Sequence, residues 1–219
     1  MTTASDRRPL SSRNTGWARA VARWLTSAGI TPNRISIASI AMGALAGLSF
    51  WGAGSANGGP RVILLLAAAL FCQLRLLCNL FDGMVAIEGG KQSRDGAFWN
   101  EFPDRIADLA IFVGAGYGIG LPALGWAAAA LAILTAYTRE LGRACGVAAD
   151  FSGPMAKQHR MATITLASLL SIAEPVWDGR NHVLTAALWI IAIGSAVTVF
   201  RRAMRLVSAL RSSPGAPPQ

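Results

Sequence analysis

The chain reads as an all-α integral membrane protein, with six transmembrane helices preceded by an N-terminal interfacial amphipathic helix. Three observations predict this. Hydrophobic residues make up 53% of the 219 residues and charged residues only 14%, whereas water-soluble domains carry about 25% charged residues. Several apolar runs approach the ~20 residues that a helix needs to cross the hydrocarbon core of a bilayer. Most of the 20 Lys and Arg residues, behind a formal charge of +9, collect on one side of those runs.

Residues 1–14 have no apolar pattern and are expected to form a flexible N-terminus. Trp17, Val21, Trp24 and Ala28 then recur at helical spacing opposite Arg19 and Arg23, as in a helix lying in the headgroup plane. This Arg-rich start holds no continuous apolar core and does not read as a cleavable signal peptide. The first span is 35–54, a charge-free run of 20 residues, and the second is 62–80, apolar apart from Gln73 and Arg75. Residues 109–138 carry no charge for 30 residues, but Gly118-Ile-Gly-Leu-Pro122 breaks them with a turn signal. That is too short for two spans, so the third helix must start well before Leu109 and the fourth must reach about Glu140. Residues 161–177 complete a fifth span only by beginning near Lys157 and tolerating Glu174, and 183–200 is a charge-free sixth. The membrane domain accordingly runs 15–207, and the Ser/Pro-rich end, 208–219, is expected to be disordered. Cys72, Cys78 and Cys145 lie in or near spans or on the reducing side, without metal-ligand spacing, which argues against disulfides.

Six spans put both termini on one side. Six basic residues precede the first span and ten more fall in the even-numbered loops and the tail, against only Arg61 and Arg180 on the other side. The positive-inside rule then places both termini and the even loops in the cytoplasm, with the inner (cytoplasmic) membrane as the location. The basic balance is topological and calls for no nucleic acid.

Extending the third helix backward draws Glu101, Asp104, Arg105 and Asp108 into a membrane helix. A charge at the bilayer centre costs about 2.5–3.5 kcal/mol on insertion scales, so such residues turn toward the bundle interior or a water-filled cavity. Asn79 and Asp82 stand three apart at the end of the second helix, and Asn100, Asp104 and Asp108 four apart on the third. Each set lines oxygen atoms along one helix face. Two such faces joined by a short cytoplasmic loop can converge on a hard cation such as Mg²⁺, which prefers oxygen ligands and keeps positions for phosphates. Gly83 lets the backbone come close. Without a further pattern, Asp82, Asp104 and Asp108 can equally pair with Arg75 and Arg105 as buried structural ion pairs.

Asn79-x2-Asp82-Gly83-x2-Ala86-Ile87-x8-Gly96-x3-Asn100-x3-Asp104 resembles the signature of the CDP-alcohol phosphatidyltransferase family, Asp-x2-Asp-Gly-x2-Ala-Arg-x8-Gly-x3-Asp-x3-Asp. Asn79, Ile87 and Asn100 stand where the family has Asp, Arg and Asp. Thr31-Pro32-Asn33, at the entrance to the first span, resembles the family's Thr-Pro-Asn element. The resemblance implies transfer of a phosphatidyl or related phospho-lipid group from a CDP-linked donor, such as CDP-diacylglycerol, to an alcohol, with release of CMP. It also implies Mg²⁺ or Mn²⁺ as cofactor and a homodimer. By the same resemblance Asp104 is the general base, Asn79, Asp82, Asn100 and Asp104 are the metal ligands, and Asn33, Gly83, Ala86 and Gly96 line the nucleotide site.

The two amides remove two negative charges from a site whose metal affinity depends on them; Glu101 or Asp108, close by on the same helix, can compensate, and Asp108 is expected as a fifth metal ligand. Lys91 or Arg94 can replace the missing Arg by proximity. Arg139, Arg143, Lys157 and Arg160, between the fourth and fifth spans, suit an anionic acceptor such as an alcohol phosphate, because family members with phosphorylated acceptors carry similar residues there. The same charges also suit topology or contact with anionic headgroups. His159 reads as an interfacial polar residue. Two other functions stay open: a catalytically impaired family member that binds CDP-lipid, and a small transporter with intramembrane carboxylates.

Overall fold

A computed structural model describes residues 15–88, 90, 95–177 and 179–212. The N-terminus 1–14, Lys91 and Arg94 lie outside the described residues, as does the tail beyond 212. The described residues form seven α-helices: α1 (Gly16–Ser27), α2 (Pro32–Ser55), α3 (Gly58–Glu88), α4 (Gly96–Gly118), α5 (Pro122–Ala144), α6 (Lys157–Leu170) and α7 (His182–Ser212), with a 3₁₀ turn at Glu174–Trp177. The described residues contain no strand. Among the described residues three helices, Pro32–Ser55, Gly58–Ile87 and His182–Ser212, are long and apolar enough to cross a membrane.

Local chemistry sets the boundaries. Thr31 caps α2 by accepting the Arg34 amide N–H on its hydroxyl, and Pro32 supplies a helical φ at the first position. Gly120, at φ 77°, turns the chain between α4 and α5, and Pro122 starts the next helix. The helix carrying Glu101, Asp104 and Asp108 thus begins well before Leu109, as the short apolar run requires.

The fifth helix differs from its expected length. It ends at Leu170, and its 14 residues span about 21 Å. Glu174 is instead drawn into the protein. Its carboxylate pairs with Arg61 at 3.0 Å and accepts the backbone N–H groups of Asn181 and Val183, at the start of α7. Arg61 also donates to the Ala53 carbonyl and to Asn181 Oδ1. This clasp joins the end of α2, the start of α3 and the start of α7. At the other end, α7 runs to Ser212, past the expected start of the tail at 208.

Helix α2 packs against both α3 and α4, α5 bridges α4 and α7, and α6 lies on α3 and α7. The α2–α4 contact is made by small residues. A Cβ at Gly47 would meet the Ala110 carbonyl oxygen at 2.2 Å, and one at Gly114 would meet the Gly47 carbonyl oxygen at the same distance. Small residues let helix backbones approach closely where lipid supplies no hydrophobic force between helices. Phe50, Leu65, Ile111, Phe112, Ile164 and Leu188 fill the main core. Beneath α1, Ala18 and Ala22 pack on Leu80, Phe81, Met84 and Val85 of α3, with the Trp17 ring edge-on to Phe81. Leu48, Leu66, Leu70, Trp189 and Ile193 stay exposed on the outer faces.

Candidate active site

The last turns of α3, the first turns of α4 and the starts of α2 and α6 meet at one end of the bundle. Asp82, near the end of α3, is buried, and its Oδ2 accepts the Ser36 hydroxyl at 2.9 Å. Ser36 lies one turn into α2, just after the Thr31 cap. The other oxygen, Asp82 Oδ1, is buried without a hydrogen-bond partner among the described residues.

Asp104, on α4, is also buried. Its Oδ2 takes the Lys157 ammonium from the first residue of α6 and lies 3.4 Å from Arg105 Nη2. Its Oδ1 is 3.3 Å from Arg75 Nη2, an ion-pair distance without hydrogen-bond geometry, so this oxygen too is an unpartnered acceptor. Asp104 and Lys157 both act electrostatically on Asp82, and Lys157 acts on Asp104 as well.

Asp108, one turn further along α4, shares Arg75 Nη2 with Asp104. It is fully buried, with Oδ1 2.5 Å from Arg75 Nη2 and Oδ2 3.0 Å from Arg160 Nη2. Arg160 is 1% exposed, and its Nη1 donates to Thr135 Oγ1 and the Met155 carbonyl, each at 3.0 Å. Both oxygens expected to ligate metal are therefore held by arginines. Arg160, expected to face an acceptor, is enclosed by the protein. The physical reason is desolvation: three charges buried this deeply persist only by neutralising and hydrogen-bonding one another.

The other residues singled out from the sequence occupy the same end. Asn79 is half-buried and donates from Nδ2 to the Arg75 carbonyl at 3.1 Å, while Asn100 is exposed near the start of α4. Asn33 Nδ2 donates to Asp95 Oδ2 at 3.4 Å, tying the entrance of α2 to the entrance of α4. Gly83, Ala86 and Gly96 are half-buried nearby on α3 and α4. Arg139 pairs with Glu101 and with Glu140 at 2.8 Å, and its guanidinium lies over the Phe151 ring at 5.3 Å. Arg143 is 3.4 Å from Glu140. Glu101 is thus engaged with Arg139 and Arg105. His159 is exposed. The described residues contain no cluster of three or more His, Cys, Asp or Glu side chains arranged to hold a metal.

Two contacts were not visible from sequence spacing: the Ser36 hydroxyl on Asp82, and Lys157 on Asp104, contributed by a helix 53 residues away. The loop before α6 is laced to α7. Arg202 donates to the Ser152 and Thr135 carbonyls at 2.9 and 2.5 Å. Burial pushes the Asp150 carboxyl up, but the Ser152 hydroxyl and N–H, with Arg205, outweigh it and hold the group below the usual carboxylate range.

Known proteins are similar to this chain in sequence and in fold. The chain is 31% identical over 181 residues to inner membrane protein YnbA of Escherichia coli K12, covering 80% of this chain and 84% of that protein. It is 30% identical over 190 residues to phosphatidylinositol phosphate synthase of Streptomyces avermitilis, covering 83% and 74%. With the enzyme of the same name from Mycolicibacterium smegmatis it shares 28% over 207 residues, covering 91% and 86%. The fold matches the crystal structure of Mycobacterium tuberculosis phosphatidylinositol phosphate synthase with CDP-DAG bound at a TM-score of 0.73 and 22% identity, over 92% of this chain and 97% of that one. The manganese and citrate complex of that enzyme matches at the same TM-score and identity. No protein-family model matches the chain.

Proposed function

The chain belongs to the CDP-alcohol phosphatidyltransferase family, and from that premise we propose that it moves a phosphatidyl group from a CDP-linked lipid such as CDP-diacylglycerol to an alcohol, releasing CMP. One observation carries this reading to specific residues. Asp82 and Asp104, on separate helices, each present one buried oxygen that accepts no hydrogen bond from the described residues, at the end of the bundle where the signature residues gather.

The donor set fits a divalent cation, Mg²⁺ or Mn²⁺, at Asp82. Its Oδ1 is unpartnered and Ser36 holds the opposite oxygen still. Asn79 and Asn100 offer neutral amide oxygens and Asp104 a second carboxylate. When bound, such a cation neutralises the donor diphosphate and stabilises charge at the attacked phosphorus.

The side chains do the rest. Asp104 Oδ1 accepts the proton of the incoming hydroxyl, whose oxygen bonds to the phosphatidyl phosphorus while the bond from that phosphorus to the CMP oxygen breaks. Asn33, Gly83, Ala86 and Gly96 line the nucleotide. Arg139, Arg143 and Lys157 border an acceptor that carries its own phosphate, a charge that Arg engages bidentately; the synthase names of the relatives support such an acceptor. Arg160 and Asp108 act from behind, by fixing Arg75 against Asp104.

In the same reading α2–α7 are the six transmembrane helices, α1 lies in the headgroup plane, and the termini and site face the cytoplasm. The exposed apolar faces, the basic excess on one side and the inner-membrane relative support it. The homodimer implied by the family belongs to it too. The experiment is to incubate the purified chain with CDP-diacylglycerol, Mg²⁺ and a panel of alcohols, including glycerol 3-phosphate and inositol phosphate, and identify lipid products by mass spectrometry. One new phospholipid is expected. No product with any acceptor would favour the impaired, CDP-lipid-binding alternative, to which Lys157 on Asp104 and the amides at 79 and 100 also point.

A further inference from the structure

We infer that this site takes one divalent cation, at Asp82, and that the Lys157 ammonium fills a second cationic position, at Asp104. The inference rests on the metal-dependent reading above and sharpens it.

The two carboxylates have unlike surroundings. Asp104 meets three cationic side chains: Lys157 and Arg105 at Oδ2 and Arg75 at Oδ1. Among the described residues Asp82 meets none at ion-pair distance. Its Oδ2 takes a neutral hydroxyl and its Oδ1 takes nothing. The positions that could hold another ion are neutral or occupied. Asn79 and Asn100 bring no charge, Asp108 is held between Arg75 and Arg160, and Glu101 is held by Arg139 and Arg105.

Charge then decides the count. A second divalent ion would sit against a carboxylate already facing an ammonium and two guanidinium groups. An ammonium within about 6 Å of a divalent ion weakens its binding well over tenfold, even at an effective dielectric of about 20. The ammonium instead supplies positive charge beside the reacting phosphate without a second ion. Lys157 stands at the first residue of α6 and reaches Asp104 from there.

Equilibrium dialysis of Mn²⁺ against the detergent-solubilised full-length chain, with free ion counted by EPR, tests this without turnover. The wild type is expected to bind one Mn²⁺ per chain and Asp82→Asn none. Lys157→Gln is expected to bind Mn²⁺ at least about tenfold more tightly, while Lys157→Arg, which keeps the charge, stays close to wild type. Two ions per wild-type chain, retention by Asp82→Asn, unchanged or weaker binding by Lys157→Gln, or equal tightening by Lys157→Arg each overturns the inference and leaves the transferase reading standing. A wild type that binds no Mn²⁺ overturns this inference and the metal-dependent reading together. The wild-type count needs no variant to fold.

Discussion

Replacing Asp108 with alanine removes the single carboxylate shared by two buried arginines. Arg75 retains Asp104 at 3.3 Å, but Arg160, at 1% exposure, is left with only the neutral acceptors Thr135 and Met155. Breaking a buried ion pair by removing one partner costs about 3–5 kcal/mol. At roughly 2–4 °C per kcal/mol for a chain of this size, the unfolding temperature should fall by about 6–20 °C. Intrinsic fluorescence of the seven tryptophans during heating in detergent reads this directly. Asp108→Leu combined with Arg160→Met should recover part of the loss, because no unpaired charge remains at Arg160. An Asp108→Ala chain that melts within about 2 °C of wild type, or a double variant less stable than Asp108→Ala alone, would refute the idea that this carboxylate neutralises two buried cations.

Further outcomes follow from other parts of the bundle. Gly47→Leu forces α2 from α4, since even its Cβ meets the Ala110 carbonyl oxygen at 2.2 Å, and should cost about 1–3 kcal/mol or more; Gly59→Ala, with nothing within 4 Å, should change thermal stability by less than about 0.5 kcal/mol. Glu174→Ala breaks the Arg61 clasp and should lower stability by about 3–5 kcal/mol, while CMP release per folded molecule, measured well below the melting temperature, persists because the clasp lies outside the site. Cys145 is exposed just past α5, so a membrane-impermeant maleimide should label it in inside-out but not right-side-out vesicles, while buried Cys72 stays unlabelled until denaturation.

Much of this is legible in the sequence where local rules decide. The 30-residue charge-free run with its Gly-Pro breaker compels α4 to start among its own acids, and the helix does begin at Gly96. The 3.6-residue period places Asp104 and Asp108 on one face of α4, but period alone does not say which neighbour meets each turn. Asp104 points to Lys157 and Arg105, and Asp108 to Arg160, whose position depends on how α6 folds back. The ion-pair alternative for these acids is realised in part, with Arg75 on Asp104 and Asp108, Arg105 on Asp104 and, among the described residues, no cation on Asp82. The early end of α6 escapes sequence reasoning for a similar cause, because Glu174 is held by Arg61, 113 residues away. The glycines that join α2 to α4 do carry a signal, Gly43-x3-Gly47 and Gly114-x3-Gly118, which hydropathy counting passes over.

In the proposed function Asp82 and Asp104 serve one metal-dependent transfer. Its most direct measurement is CMP release from CDP-diacylglycerol by the purified chain and by Asp82→Ala and Asp104→Asn, with Mg²⁺ titrated from zero and the preferred alcohol present. Release should require Mg²⁺, vanish in Asp82→Ala and fall by about 10²–10⁴ in Asp104→Asn, the usual contribution of a general base. Release that continues in EDTA, or that is equal in all three proteins, would rule out a shared metal-dependent role for the two carboxylates.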